Sequence, residues 1–126
     1  MRRVRIQAGD VAATAVFLEN RTAAALWEAL PLEGTVSTWG DEIYFPTPLA
    51  LPPEEPQAVV SAGDLAYWPV GRAFCIFWGP TPASVGHEIR PASPVNLVGR
   101  LEGDVKVFDR VQEGVPIRIE RIEEGV

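Results

Sequence analysis

The side chains best able to do chemistry crowd into one loop, GPTPASVGHEIRPASP, residues 79 to 94. It holds the only histidine, His87, followed by Glu88 and Arg90, with Thr81, Ser84 and Ser93 nearby. A histidine can act as acid or base near neutral pH. No nucleophile stands at a useful spacing and nothing resembles a nucleophile elbow, so His87 is expected to be a solvated loop residue. Glu88 and Arg90 are two residues apart and share a side of an extended chain. A carboxylate beside a guanidinium fork can anchor a carbonyl or carboxylate ligand. The competing reading is a mutual surface ion pair. Pro80, Pro82, Pro91 and Pro94 stiffen the backbone, which favours a binding rim over a reaction centre.

Aromatic residues are the second concentration. Trp39, Tyr44, Phe45, Tyr67, Trp68, Phe74, Phe77 and Trp78 fall in or beside strand-like segments. Alternation in AFCIFW puts Phe74, Ile76 and Trp78 on one side and Cys75 and Phe77 on the other. One set must be core, and the other can line a groove outside it. An apolar groove with a few polar groups is the common form of a ligand site. The candidate ligand-binding set is therefore Tyr44, Trp68, Phe77, Thr81, Glu88 and Arg90. Glu42 shares a face with Tyr44, where a carboxylate can bind a cation or a ligand amine. No further oxygen ligands accompany it, so no metal site is expected, and no cofactor is implied.

These residues are positioned by strands. RRVRIQ (2–7) alternates and VAATAVFL (11–18) follows a Gly9-Asp10 turn, predicting a hairpin. TAAALWEAL, capped by Asn20 or Thr22 and closed by Pro31, predicts one helix over about 21–30, with Ala23, Leu26, Trp27 and Leu30 as its apolar stripe. TVSTW (35–39), EIYF (42–45), VVSAGDLAYW (59–68), AFCIFW (73–78), VNLVGRL (95–101), VKVF (105–108) and IRIERI (117–122) read as strands. Trp68-Pro69-Val70-Gly71 suits a hairpin turn. Five prolines make residues 46–56 a stiff surface excursion. Trp27 and Cys75 are expected to be buried core.

Short antiparallel strands at this spacing hide their edges best by closing. The expected fold is a mainly β, closed eight-stranded antiparallel barrel plugged by the one clear helix, in a single domain spanning 1–126.

Net charge is −6, and the ten arginines to one lysine are dispersed, which argues against nucleic acid. Hydrophobic residues make up 47% and charged residues 22%, the balance of a globule. One cysteine excludes an internal disulfide and a cysteine-based zinc site. The basic start has no apolar run after it, and no stretch is long enough to span a membrane. A cytoplasmic protein, with homo-oligomerisation open, is the expectation.

ENRTAAALWEALPLEGTVSTWGDEIYF, GDLAYWPVGRAFCIFWGPTP and EIRPASPVNLVGRLEGD, in this order, resemble the small prokaryotic cyclophilin-like family over about residues 4 to 122. That resemblance implies an eight-stranded barrel capped by helices, with a largely undefined function. Cyclophilin isomerases carry Phe-His-Arg and Gln-Phe-Phe segments that this chain lacks; EIYFPTPL stands at the first. A binding barrel for a small molecule or short peptide is the leading expectation. A peptidyl-prolyl isomerase and an oligomeric structural protein are the alternatives.

Overall fold

The structure, a computed structural model, describes residues 1–123, so the last three positions of the expected 1–126 domain lie outside the described residues. β1 (Arg3–Ala8) and β2 (Val11–Phe17) form the N-terminal hairpin, and α1 (Arg21–Ala29) follows. β3 (Leu32–Thr35), β4 (Ser37–Thr38), β5 (Glu42–Pro46), β6 (Asp64–Trp68), β7 (Ala73–Phe77), β8 (Asn96–Leu101) and β9 (Pro116–Arg121) complete one antiparallel sheet. Its order is β3-β9-β1-β2-β8-β6-β7-β5-β4.

The two end strands are consecutive in sequence, so the sheet curls into a nearly closed barrel. The seam passes through Val36. Its backbone leaves the neighbouring strands to donate to the Val115 carbonyl at 2.9 Å and to accept from Gly114 at 2.9 Å. Phe45 of β5 packs directly over Gly34 of β3, where a Cβ would fall 2.7 Å from the ring. Only a residue without a side chain permits that approach.

Two local expectations are corrected. The segment 35–39 does not form one strand: Val36, at 1% exposure, divides it between β3 and β4, which offsets the loss of 105–108 and leaves nine strands in the sheet where eight were expected. Residues 105–108 are not a strand but the start of a 3-10 helix, Val105–Arg110. Asp104 initiates it by accepting the Lys106 N–H. A strand would have set Phe108 on the same side as Lys106; the helical turn instead buries Phe108 against Trp78, with ring centroids 5.7 Å apart.

Inside the barrel, Val4, Ile6, Phe17, Ile43, Phe45, Leu65, Tyr67, Phe74, Ile76, Val98 and Ile119 meet. Ala23 and Leu26 of α1 join this core, so the helix caps it as expected. Asn20 is the N-cap, its side chain accepting the Ala23 N–H at 2.8 Å. Trp27 departs from expectation: it is half-buried, edge-on to Phe17, with the guanidinium groups of Arg2 and Arg121 over its ring. At the end of a short helix it shields the core rather than filling it.

The Pro-rich 46–56 excursion is tied down at two places. The Tyr67 hydroxyl donates to the Leu49 carbonyl (2.6 Å) and accepts the Leu51 N–H (3.1 Å). Asn96, 1% exposed, accepts the Glu54 N–H (2.9 Å) and donates to Thr22 Oγ1 (3.1 Å) and the Pro52 carbonyl (3.0 Å). One side chain thus joins β8, the first turn of α1 and the excursion. Asn96→Ala is expected to destabilise the protein by about 2–3 kcal/mol, because buried partners are left unpaired. Urea unfolding measures this, and an unchanged midpoint would contradict the assigned role.

Candidate functional site

The barrel wall has a second apolar cluster on its outside. Strand alternation sends Phe74 and Ile76 of β7 inward, and sends Ala73, Cys75 and Phe77 outward. The outward set meets Ala66 of β6, Val95, and Val60 and Ile89 from covering segments, with Tyr44, Trp68 and Leu97 packed against it. All five β7 residues are therefore buried.

The cover is the 79–95 loop, held by its own hydrogen bonds. Thr81 donates its hydroxyl to the Arg90 carbonyl. Ser84 Oγ accepts the Thr81 N–H at 2.9 Å and the Arg90 N–H at 3.1 Å. Glu88 takes the Arg90 guanidinium at two atoms and the Val85 N–H. These bonds, Arg90 first, hold the Glu88 carboxyl below its usual pKa. Backbone bridges Val60–Ile89 and Gln57–Val95 fasten the loop's far end.

At the loop's near end, Trp39-Gly40-Asp41-Glu42 turns between β4 and β5. The Asp41 N–H donates to the Pro80 carbonyl at 3.0 Å. Gly40 has φ +62°, and a Cβ there would stand 2.9 Å from the Pro80 oxygen and Thr81 Cα. Glycine is required on both counts.

Between wall and loop lies a cavity of about 210 Å³. Glu42 and Cys75 line it from neighbouring strands; Trp39, Tyr44 and Trp68 add aromatic faces, and Pro91, Ala92 and Val95 close it from the loop side. The Tyr44 and Trp68 rings stand nearly perpendicular, at 80° with centroids 6.3 Å apart. The Trp68 indole N–H is already spent on Ser93 Oγ at 2.6 Å, which also pins the loop.

Glu42 is the unusual member. It is 5% exposed. Among the described residues no cation stands within ion-pairing distance of its carboxyl; the Cys75 thiol lies beside it, while donating to the Ala73 carbonyl at 3.8 Å. Burial penalises the charged form and pushes its pKa up to about 7, against a smaller lowering by the thiol's hydrogen bond. Burial, followed by the charge and hydrogen bond of Glu42, pushes the Cys75 thiol well up, so it stays protonated and is no nucleophile.

Of the six residues singled out in the sequence, Tyr44 and Trp68 line the cavity. Phe77 is fully buried in the outer cluster, and Thr81, Glu88 and Arg90 build the loop. His87 is exposed. Cys75 is buried as expected, yet it also borders the cavity. Trp39, Pro91, Ala92 and Val95 were outside the candidate set. Period-two alternation had placed Glu42 with Tyr44 and could have added Cys75, but nothing local marks Pro91 or Ala92. Among the described residues no cluster of three His, Cys, Asp or Glu could hold a metal ion, and no helix is long and apolar enough to cross a membrane.

A family model described as cyclophilin-like matches residues 2–120. The fold is similar to the solution structure of a hypothetical protein from Archaeoglobus fulgidus, with TM-score 0.81 and 38% identity over 96% of this chain and 95% of that one. It is also similar to McbB in complex with tryptophan, with TM-score 0.74 and 15% identity over 98% of this chain and 46% of that one. No curated protein matches the chain at a significant level.

The raised pKa of Glu42 has a signed consequence for stability. Its folded value, about 7, lies above the ordinary 4.5. The folded state therefore holds the proton more tightly, and stability falls as pH rises from about 4.5 to about 7, then levels. The shift corresponds to roughly 3 kcal/mol. Glu42→Gln, neutral at every pH, should melt close to the parent at pH 4.5 and clearly above it at pH 8. Thermal melts at both values check this; a variant no more stable than the parent at pH 8 would contradict it.

Proposed function

We propose that this chain, which belongs to the cyclophilin-like family, is a small-molecule-binding barrel whose site is the cavity on the outer face of its wall. The observation that carries the reading is a buried acid, unpaired with any cation, facing an aromatic-lined space. Burying such a group costs stability, and a folded chain that keeps it there has a use for it. Tyr44, Trp68, Trp39 and Glu42 are the contact residues in this reading. Thr81, Glu88 and Arg90 act one layer back, by fixing the loop that presents Pro91 and Ala92. At about 210 Å³ the cavity suits a compact molecule or the tip of one side chain rather than a length of peptide. McbB was solved with tryptophan; at 15% identity that likeness speaks for the fold alone.

Isomerase activity is the weaker reading. It needs a donor over the twisted amide, and Arg90 has its guanidinium engaged by Glu88. An oligomeric structural role drew on four tryptophans as an exposed patch; Trp27, Trp39 and Trp68 are half-buried and Trp78 is buried.

Two measurements follow. Titrating ¹⁵N-labelled protein with indole should give saturable shifts at the Trp39 and Trp68 indole N–H signals. Ala92→Trp, which fills the cavity mouth from an exposed position, should abolish them. Shifts that persist in Ala92→Trp, or that map elsewhere, would refute the site. In a protease-coupled assay on a Pro-containing peptide, isomerisation should keep its uncatalysed time of tens to hundreds of seconds. Acceleration lost in Arg90→Ala would restore the isomerase reading.

A further inference from the structure

Resting on the reading of this cavity as a ligand site, we propose that its ligand is a small alkylammonium cation, held between the Tyr44, Trp68 and Trp39 rings with Glu42 as counter-charge. The cavity is lined by aromatic faces and one carboxyl, with no cationic side chain; its free donors are the Trp39 indole N–H and the Tyr44 hydroxyl. Aromatic faces carry negative potential, and a cation within about 6 Å of a ring centroid is attracted to it. Tyr44 and Trp68, in T-shaped contact at 80°, both border the cavity, and Trp39 adds a third ring to its lining. The Trp68 N–H that could serve a carbonyl is taken by Ser93. The Arg90 guanidinium that could serve a carboxylate is paired with Glu88 and lies outside the cavity lining. What remains is three π-systems, a carboxyl and a thiol beside the Trp39 N–H and the Tyr44 hydroxyl, and the lining's only ionisable counter-charge is an acid, which favours a cation. The chain's net charge of −6 favours approach of the same ligand class.

The other groups near Glu42 leave its charge to the ligand. Cys75 on β7 stays a neutral thiol, and Tyr44 shares the cavity from Glu42's own strand. The loop contributes Pro91 and Ala92, both uncharged. Asp41, the neighbouring acid, has its carboxyl against Gly79. With a pKa of about 7, Glu42 is largely protonated at pH 6. Cation entry then converts the acid to a carboxylate and releases one proton to solvent, so the complex tightens as pH rises. A ligand that needed the neutral acid as a donor would weaken instead.

The chemistry could come from a free amine or from a methylated lysine side chain, and the probes separate these. Calorimetric titrations would use choline, its neutral isostere 3,3-dimethylbutan-1-ol, and N-acetyl-trimethyllysine amide. Choline should bind at least about tenfold more tightly than the isostere at pH 8. It should also gain about tenfold between pH 6 and pH 8 at fixed ionic strength. Glu42→Gln should erase that pH dependence and weaken choline about tenfold, leaving the isostere unchanged. Trp68→Leu should weaken choline independently of Glu42. A lysine derivative that outbinds choline would assign the head group to a side chain, and the reverse to a free amine; either supports the proposal. Equal binding of choline and isostere, with Glu42→Gln silent, overturns the cation while the cavity remains an apolar site. If neither these probes nor indole bind, the cation proposal and the cavity reading both fall.

Discussion

The arrangement of the molecule depends on a strand, β7, that is buried on both faces. A closed barrel needs only its inner face covered, since the outer face of an antiparallel wall can meet water. In β7 the outward residues are Ala73, Cys75 and Phe77, and the segment beyond the strand folds back to cover them. That requirement explains why residues 79–95 are so heavily cross-bonded. A cover without strands of its own must satisfy its backbone through side chains. Thr81, Ser84 and Glu88 do that here, while prolines limit the entropy the loop loses on ordering.

The cover fits the wall closely at Phe77 and Ile89 but leaves a space near Glu42. There the physics changes from packing to electrostatics. An isolated carboxylate out of water is costly unless paired, and the ordinary remedies are an arginine or protonation. This chain has ten arginines, and several pair with acids elsewhere, as Arg100 does with the buried Asp64. Around Glu42 none does, and burial instead pushes its pKa up to about 7. A net destabilising feature beside an aromatic-lined cavity is the basis of the proposed binding role.

Much of the fold was legible because hydrophobic period and turn chemistry agree along the chain. The N-terminal hairpin, the capped helix ending before Pro31, and the β6–β7 hairpin all follow from local pattern. The divided strand at Val36 depends on its bonds to Val115 and Gly114, far along the chain, and carries no local sign; the 3-10 helix has a local cap in Asp104, but the alternating VKVF pattern masks it and its burial needs Trp78. For the site, alternation correctly gave β7 two different faces and placed Glu42 with Tyr44. It could not rank Glu42 above Arg90. A guanidinium in a loop looks more chemical than a glutamate in a strand until the fold shows Arg90 paired and Glu42 buried. Residues such as Pro91 and Ala92 reach the cavity only through the loop's return path, which carries no local signature.

The reading of the cavity turns on Glu42 being buried beside it with no cation at its carboxyl. The most direct test is an NMR titration of its side-chain carboxyl carbon in the ligand-free protein, assigned by comparison with Glu42→Gln. A midpoint near 7 is expected. A midpoint near the ordinary 4.5 would mean that the group is solvated or paired, and would contradict that reading.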